Sequence, residues 1–237
     1  GIIEEHNPDI VQYAFSTLSS FASPYTPLTI PVGMFSGDEF ESYLHGFFDG
    51  VINSVWSRAV KRELFVTSLP YEDYRSIMHG EDMLLTAFYI QKAKSVFYTD
   101  EALYFYRPNN AASTASYKSS QLVDIECVSR VILEKALECS DKCFRHAVAG
   151  VVSQYVYLLN VLTRTEIQLQ GKVDRFGEIS ASLNAVFPNK PDLGMPNLRL
   201  DIRLLASLIL SGRAGMALVI SNLLEHIKDF AIGLERS

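Results

Sequence analysis

The hydrophobic period of the chain changes near residue 118, and that change restricts what the chain can fold into. Before it, short β-branched and aromatic runs alternate with helical segments. DIVQYAF at 9–15, SVWSRAV at 54–60 and SVFYTDEALYFYR at 95–107 read as strands. Between them, SGDEFESYLHGFF opens with Ser36 and Glu39 in capping-box spacing, where each side chain can satisfy an orphan N–H of the other, so a helix start is predicted there. A second helix is predicted from Glu81 to Lys94, with Leu84, Leu85, Phe88 and Tyr89 on its apolar side. After the polar stretch RPNNAASTASYKSSQ almost no strand signal remains. Leu122, Ile125, Ile132, Leu133, Ala136 and Leu137 keep helical spacing, as do the apolar positions of 148–162. FPNKPDLGMPN then separates a middle helical segment from a final pair at about 198–212 and 214–233. The expectation is an α+β fold: a small sheet with helices over residues 1–118, then an all-α region over 119–237.

A chain of 237 residues with 48% hydrophobic and 11% aromatic content buries a sizeable core, as one large domain or two small ones. A net charge of −6 offers no broad basic surface for phosphate backbones, so nucleic acid is not an expected partner. Cys127, Cys139 and Cys143 are odd in number and lack paired CxxC spacing, which fits neither a disulfide framework nor a zinc site. They are expected to be core thiols in a reducing, cytoplasmic setting. The chain opens with Gly1, and Glu4, Glu5, His6 and Asp9 fall where a signal peptide would be apolar, which suggests a processed chain or an excised piece. Residues 147–163 carry no charge but include Ser153, Gln154 and Asn160, and 204–224 is broken by Arg213; buried helices explain both better than membrane spans. Arg199, Arg203 and Arg213 leave a peripheral contact with an anionic membrane open, beside the more ordinary reading of solvated arginines on packed helices.

Five scattered histidines make no ligand set by spacing; only Cys143 and His146 lie one helical turn apart, and no metal ligand is expected. There is no Asp-x-Asp, GxSxG elbow, Walker loop or GxGxxG loop. Two carboxylate pairs remain, Glu72-Asp73 in LPYEDYRS and Glu81-Asp82 in HGEDMLLTAF. Only the second follows a glycine and leads into a long apolar helix. Two readings stay open for it: acids of a first helical turn facing unpaired N–H groups, or a rigidly held catalytic carboxylate. Trp56, Tyr71, Tyr74, Tyr98, Tyr104 and Tyr106 are dense around it and either stack on a sugar or pack the core.

Taken in order, NPDIVQYAF, FSGDEFESYL, INSVWSRAVKRELF and HGEDMLLTAFYIQKAKSVFYTDEALYFYRPNNAAST resemble the second half of the GT-A catalytic domain of family 2 glycosyltransferases. That family follows its metal-binding carboxylates with a strand, a helix, a "vWnKlykrelf" segment, a "gED" helix and a closing "lYyYr…S" segment. The resemblance covers about residues 7–116 and implies that residues 1–118 are an incomplete GT-A-like portion. It implies an inverting sugar transfer in which Asp82, with Glu81 beside it, is the catalytic carboxylate pair and Asp82 takes the acceptor proton. The helix N-terminus is expected to keep Asp82 ionised. Trp56 and Arg58 match the preceding motif, although Ser57 and Arg58 stand where Asn and Lys are usual. Tyr106, Arg107 and Ser113 match the closing segment. These five are the implied substrate-binding residues, with Arg107 placed to reach the diphosphate or the acceptor. Glu72-Asp73 falls in the variable approach to the gED helix.

The resemblance further implies a nucleotide-sugar donor, a cell-surface or exported glycan acceptor, and Mg or Mn in the complete, bacterial-type enzyme. The groups that hold the metal and donor would precede Gly1, so this chain alone is expected to bind no metal and to be inactive. A truncated sheet would bare an edge that a homodimer or swapped strand can cover. The rival expectation is a non-catalytic helical interaction or oligomerisation module that keeps a transferase-fold remnant.

Overall fold

The computed structural model describes residues 1–22, 24–25, 30–66, 73–107 and 117–235. The elements run α1 (Ile2–His6), β1 (Ile10–Ser16), β2 (Gly33–Ser36), α2 (Asp38–Phe48), β3 (Arg58–Val60), α3 (Arg62–Val66), α4 (Glu81–Ile90), β4 (Ser95–Phe105), α5 (Ser120–Cys139), α6 (Asp141–Thr163), α7 (Leu169–Val186), α8 (Leu200–Leu210) and α9 (Ala214–Glu235). The fold is mixed α and β, with one small sheet among the described residues and helices only after it. Packing divides the chain into two compact units. One is residues 1–110 with 128–147, and the other is 111–127 with 148–237, so the end of α5 and the start of α6 join the sheet although the sequence texture changes at 118.

In the first unit the four strands lie in the order β2-β4-β1-β3. The central pair, β1 and β4, is parallel, while β3 and β2 flank it antiparallel. Parallel strands need a crossover, and the segments between β1 and β4 supply it. α2 buries Phe40, Tyr43, Leu44, Phe47 and Phe48, the i, i+3, i+4, i+7, i+8 stripe of an amphipathic helix. Each such aromatic, fully buried, is worth about 1.5–3 kcal/mol. Together with Ile10, Leu84, Ile90, Val96 and Ile132 they form one core.

Three sequence expectations are corrected here. Ser36 and Glu39 make no capping box: Ser36 pairs with Ser95 as the last residue of β2, and Gly37, at φ 54, turns the chain into a helix that starts at Asp38 without a side-chain cap. The run 54–60 is a strand only over Arg58–Val60, since Val55–Ser57 forms a 3₁₀ turn in which Ser57 Oγ donates to the Ser54 carbonyl at 3.0 Å. α4 ends at Ile90 rather than Lys94, because the Lys94 N–H is taken by Asp9 Oδ2 at 2.7 Å and Ser95 begins β4.

Among its described residues the second unit has helices joined by turns and coil, and no strand. Val152, Tyr155, Leu159, Phe176, Leu183 and Ile209 are buried in it. Its buried polar groups are satisfied locally: Tyr155 Oη meets Ser182 Oγ at 2.8 Å, and Ser180 Oγ donates to the Ile209 carbonyl at 2.6 Å. Arg203 Nε donates to the Leu198 carbonyl at 2.7 Å and Arg199 pairs with Asp201 at 2.8 Å, which leaves Arg213 alone of the three arginines outside such a bond. Among the described residues no helix is long and apolar enough to cross a membrane.

Candidate active site at the carboxyl end of the sheet

Parallel strands present their carboxyl ends as the usual ligand crevice of α/β sheets, and here that end is lined with aromatic rings. The cause is a register slip. Gln12 pairs with Tyr98 but Ala14 with Ala102, so β4 gains length against β1 and brings Tyr104 opposite Phe15. The Tyr106 N–H donates to the Ser16 carbonyl at 2.8 Å and prolongs the pairing. Tyr104 and Tyr106, two residues apart, share a face. The Trp56 ring stacks on Tyr104 at 4.8 Å and 24° and lies 5.1 Å from Tyr106, while Phe15 meets it edge-on at 4.9 Å. Tyr104 and Tyr106 remain 37% and 40% exposed, so the cluster is an open platform and not core packing.

Trp56 is held by the 3₁₀ turn, and that turn is anchored from beneath. Tyr13 Oη donates to the Trp56 carbonyl at 2.8 Å. Buried Gln12 donates from Nε2 to the Ser57 carbonyl at 2.8 Å and accepts from Tyr43 Oη at 3.1 Å. Burial pushes the Tyr43 phenol up to about 12, which keeps it a donor. Arg58, also buried, donates from Nη1 to Tyr89 Oη at 3.4 Å and from Nη2 to the Ile52 carbonyl.

Asp82 reaches the same turn from α4. Its Oδ2 accepts the Val55 N–H at 3.3 Å, one residue before Trp56. Gly80, the N-cap, sits at φ 81 and supplies no side-chain cap. The carboxylate therefore serves the loop while it stands, with Glu81, in the first turn of its own helix, as both sequence readings require. The pull of the helix N-terminus on its ionisation is opposed by burial. Burial is the largest influence and pushes the Asp82 carboxyl above its ordinary value, against the Val55 N–H and the Arg58 charge, which pull it down. Among the described residues Oδ1 accepts no hydrogen bond.

The structure thus brings Asp82, Trp56, Arg58 and Tyr106 to one end of the sheet. Glu81 points outward from the first turn and is exposed. Arg107 follows Tyr106 on the exposed rim. Arg58 is buried under the turn, where it positions Trp56's neighbours instead of offering its charge to solvent. Ser113, Tyr71 and Glu72 lie outside the described residues, and Asp73 is exposed. Phe15, Tyr13 and Gln12 were missed by motif reasoning; their signal was the period-2 alternation of β1, which places 13 and 15 on one face and 12 on the other. A groove of about 490 Å³ between α1 and the sheet, lined among others by Val11, Tyr13, Ala59 and Leu103, touches this group only at Tyr13. No family model matches the chain, and no curated protein matches it either.

Proposed function

We propose that this chain is the acceptor-side portion of an inverting, family 2-like glycosyltransferase, with Asp82 as the base. The observation that carries the reading is the half-buried Asp82 carboxylate tied to the turn that presents the Trp56–Tyr104 stack. An aromatic face takes the C–H edge of a sugar ring, and a carboxylate at its border takes the proton of a hydroxyl on that ring. In the transfer, the acceptor oxygen bonds to the anomeric carbon of the donor, the bond to the nucleoside diphosphate breaks on the opposite face, and the hydroxyl proton passes to Asp82 Oδ1. Burial makes Asp82 a stronger base than an exposed aspartate, which favours that proton transfer. Arg107 is the exposed cation nearest in sequence to the platform and suits an anionic group of donor or acceptor. The Mg or Mn of such enzymes has no fitting ligand set at Asp82 among the described residues: the chain has no Asp-x-Asp, Glu81 is exposed and Asp82 Oδ2 is engaged by Val55, so no step is derived through a metal.

The test uses the protein that contains the donor-binding half, assayed with a panel of nucleotide sugars and glycan acceptors. Asp82→Asn should lower transfer by about 100- to 10,000-fold, the usual worth of a general base, while donor binding survives. Glu81→Gln should change it far less. Trp56 is the only tryptophan of the chain, so its fluorescence reports acceptor binding directly. Unchanged transfer in Asp82→Asn overturns the assignment.

A second reading, a helical interaction module, rests on a different observation. Along α9, Met216, Val219, Leu223 and Ile227 are all more than half exposed and share one side of the helix, a stripe of the kind that seats against another surface. Absence of turnover with every donor, together with an association state that Leu223→Glu alters, would favour it.

A further inference from the structure

Beside its apolar stripe α2 carries Glu41 and His45 at i and i+4, and Asp49 follows as its C-cap. The fold sets this side against the turn between α5 and α6, within the first unit. Cys139 ends α5, and Cys143 and His146 lie in the opening turns of α6. Glu41, His45 and Cys143 each offer one ligand atom, and the three atoms lie within 4.8 Å of one another. His45 Nε2 is 3.9 Å from Glu41 Oε1. That nitrogen is buried and has no hydrogen-bond partner, a costly state for a polar atom unless something binds there. Sequence spacing hid the site because its halves are about a hundred residues apart.

We infer that Glu41, His45 and Cys143 form a zinc-class metal site that staples α2 to the α5–α6 turn. The donor set of one imidazole nitrogen, one thiolate sulfur and one carboxylate oxygen selects a borderline ion such as Zn²⁺ over Mg²⁺ or Ca²⁺, which want oxygen alone. Zinc bonds of about 2.0–2.3 Å put tetrahedral ligand atoms roughly 3.3–3.8 Å apart, so closing the observed triangle needs about 1 Å of side-chain movement. The surroundings already orient the ligands. Ser140 Oγ donates to Glu41 Oε1 at 2.8 Å, and the His45 ring stacks on His146 at 4.0 Å and 9°. His146 Nδ1 is in turn held by Asp49 Oδ2 at 2.8 Å. Lys142 lies 3.6 Å from Glu41 Oε2 on an exposed, flexible stem that can swing to solvent. The site shares no residue with the Asp82 group and does not rest on the transferase reading.

The experiment takes the full chain, reduced and stripped of metal, and titrates it with Co²⁺ and then Zn²⁺. One Co²⁺ per chain should give tetrahedral visible bands and a thiolate-to-cobalt band in the near ultraviolet, both abolished by Zn²⁺. Cys143→Ser should remove the thiolate band and weaken Zn²⁺ by about 100-fold or more, since even outer-shell partners are worth about 10- to 100-fold. Cys127→Ser should change neither. Zn²⁺ should raise the melting temperature of the wild type and not that of His45→Gln, which carries the test if circular dichroism shows Cys143→Ser to be unfolded. Absence of the thiolate band, or equal Zn²⁺ affinity in wild type, Cys143→Ser and His45→Gln, overturns the inference.

Discussion

The two ends of the β1–β4 pair each carry a partly buried aspartate, and the two are treated in opposite ways. At the amino end, Asp9 is saturated. Its Oδ2 accepts the Lys94 N–H at 2.7 Å, its Oδ1 pairs with Lys61 Nζ at 2.9 Å, and its own N–H donates to Ser95 Oγ at 3.1 Å. Burial alone would push its carboxyl up, but Lys94 and Lys61 outweigh burial and hold it below the ordinary value. At the carboxyl end, Asp82 has, among the described residues, one longer bond to Val55 and a second oxygen that accepts none, and its carboxyl is pushed up by burial. One aspartate ties three strand ends together and is spent on structure. The other is left underused beside exposed rings, which is what a group reserved for a ligand looks like.

If that contrast is right, Asp9→Ala should cause the larger loss of stability, about 1.5–3 kcal/mol at neutral pH for charge-assisted hydrogen bonds left unmade. The sign with pH follows from the lowered carboxyl. Its contribution is complete above the unfolded value of 3.8 and is lost as pH falls through the lower folded value. Urea midpoints of wild type and Asp9→Ala should therefore converge in acid, and a gap that persists unchanged below pH 3.8 would deny Asp9 its role. Gly80→Ala should cost less, about 1–2 kcal/mol for an alanine forced to positive φ. Its Cβ would also meet Val128 Cγ2 at 3.3 Å. Because Gly80 launches the turn that carries Asp82, the same variant should shift Trp56 fluorescence; an unshifted spectrum would uncouple the α4 start from the platform.

How much of this was legible in the sequence depends on the range of the forces. β1 and β4 were legible because alternation of β-branched and aromatic residues is local, and so were α5 to α9 from their helical period. The turn at Val55–Ser57 was not, since it is bent by Asp82 from 27 residues away and by Gln12 from 45 residues away. Nor was the capping box at Ser36 a safe inference, because pairing with Ser95 claims that residue first. Trp56, Tyr106 and Asp82 stand out from motifs as candidates, but their meeting depends on the register slip after Gln12, which no local pattern announces. Arg58 was expected beside a substrate, whereas its burial under the turn follows from the Ile52 carbonyl and Tyr89, contacts set by tertiary packing.

The smallest expected effect is the sharpest test of the contrast. A carboxyl raised by folding binds its proton more readily in the folded chain than in the unfolded one between the ordinary value of 3.8 and the folded value. Stability therefore falls as pH rises through that interval and stays lowered at neutral pH, the reverse of Asp9. Asparagine cannot ionise, yet its side-chain oxygen can still accept the Val55 N–H, so Asp82→Asn should escape the penalty. Thermal melts at pH 7 should show Asp82→Asn at or slightly above the wild-type midpoint, with a flatter profile above pH 4, while Asp9→Asn falls below it. A clear drop in Asp82→Asn would mean that the negative charge is there to hold the loop, and the two ends of the sheet would then differ only in degree. No drop would leave a charge that the fold tolerates at a cost, and selection keeps such a charge when chemistry needs it.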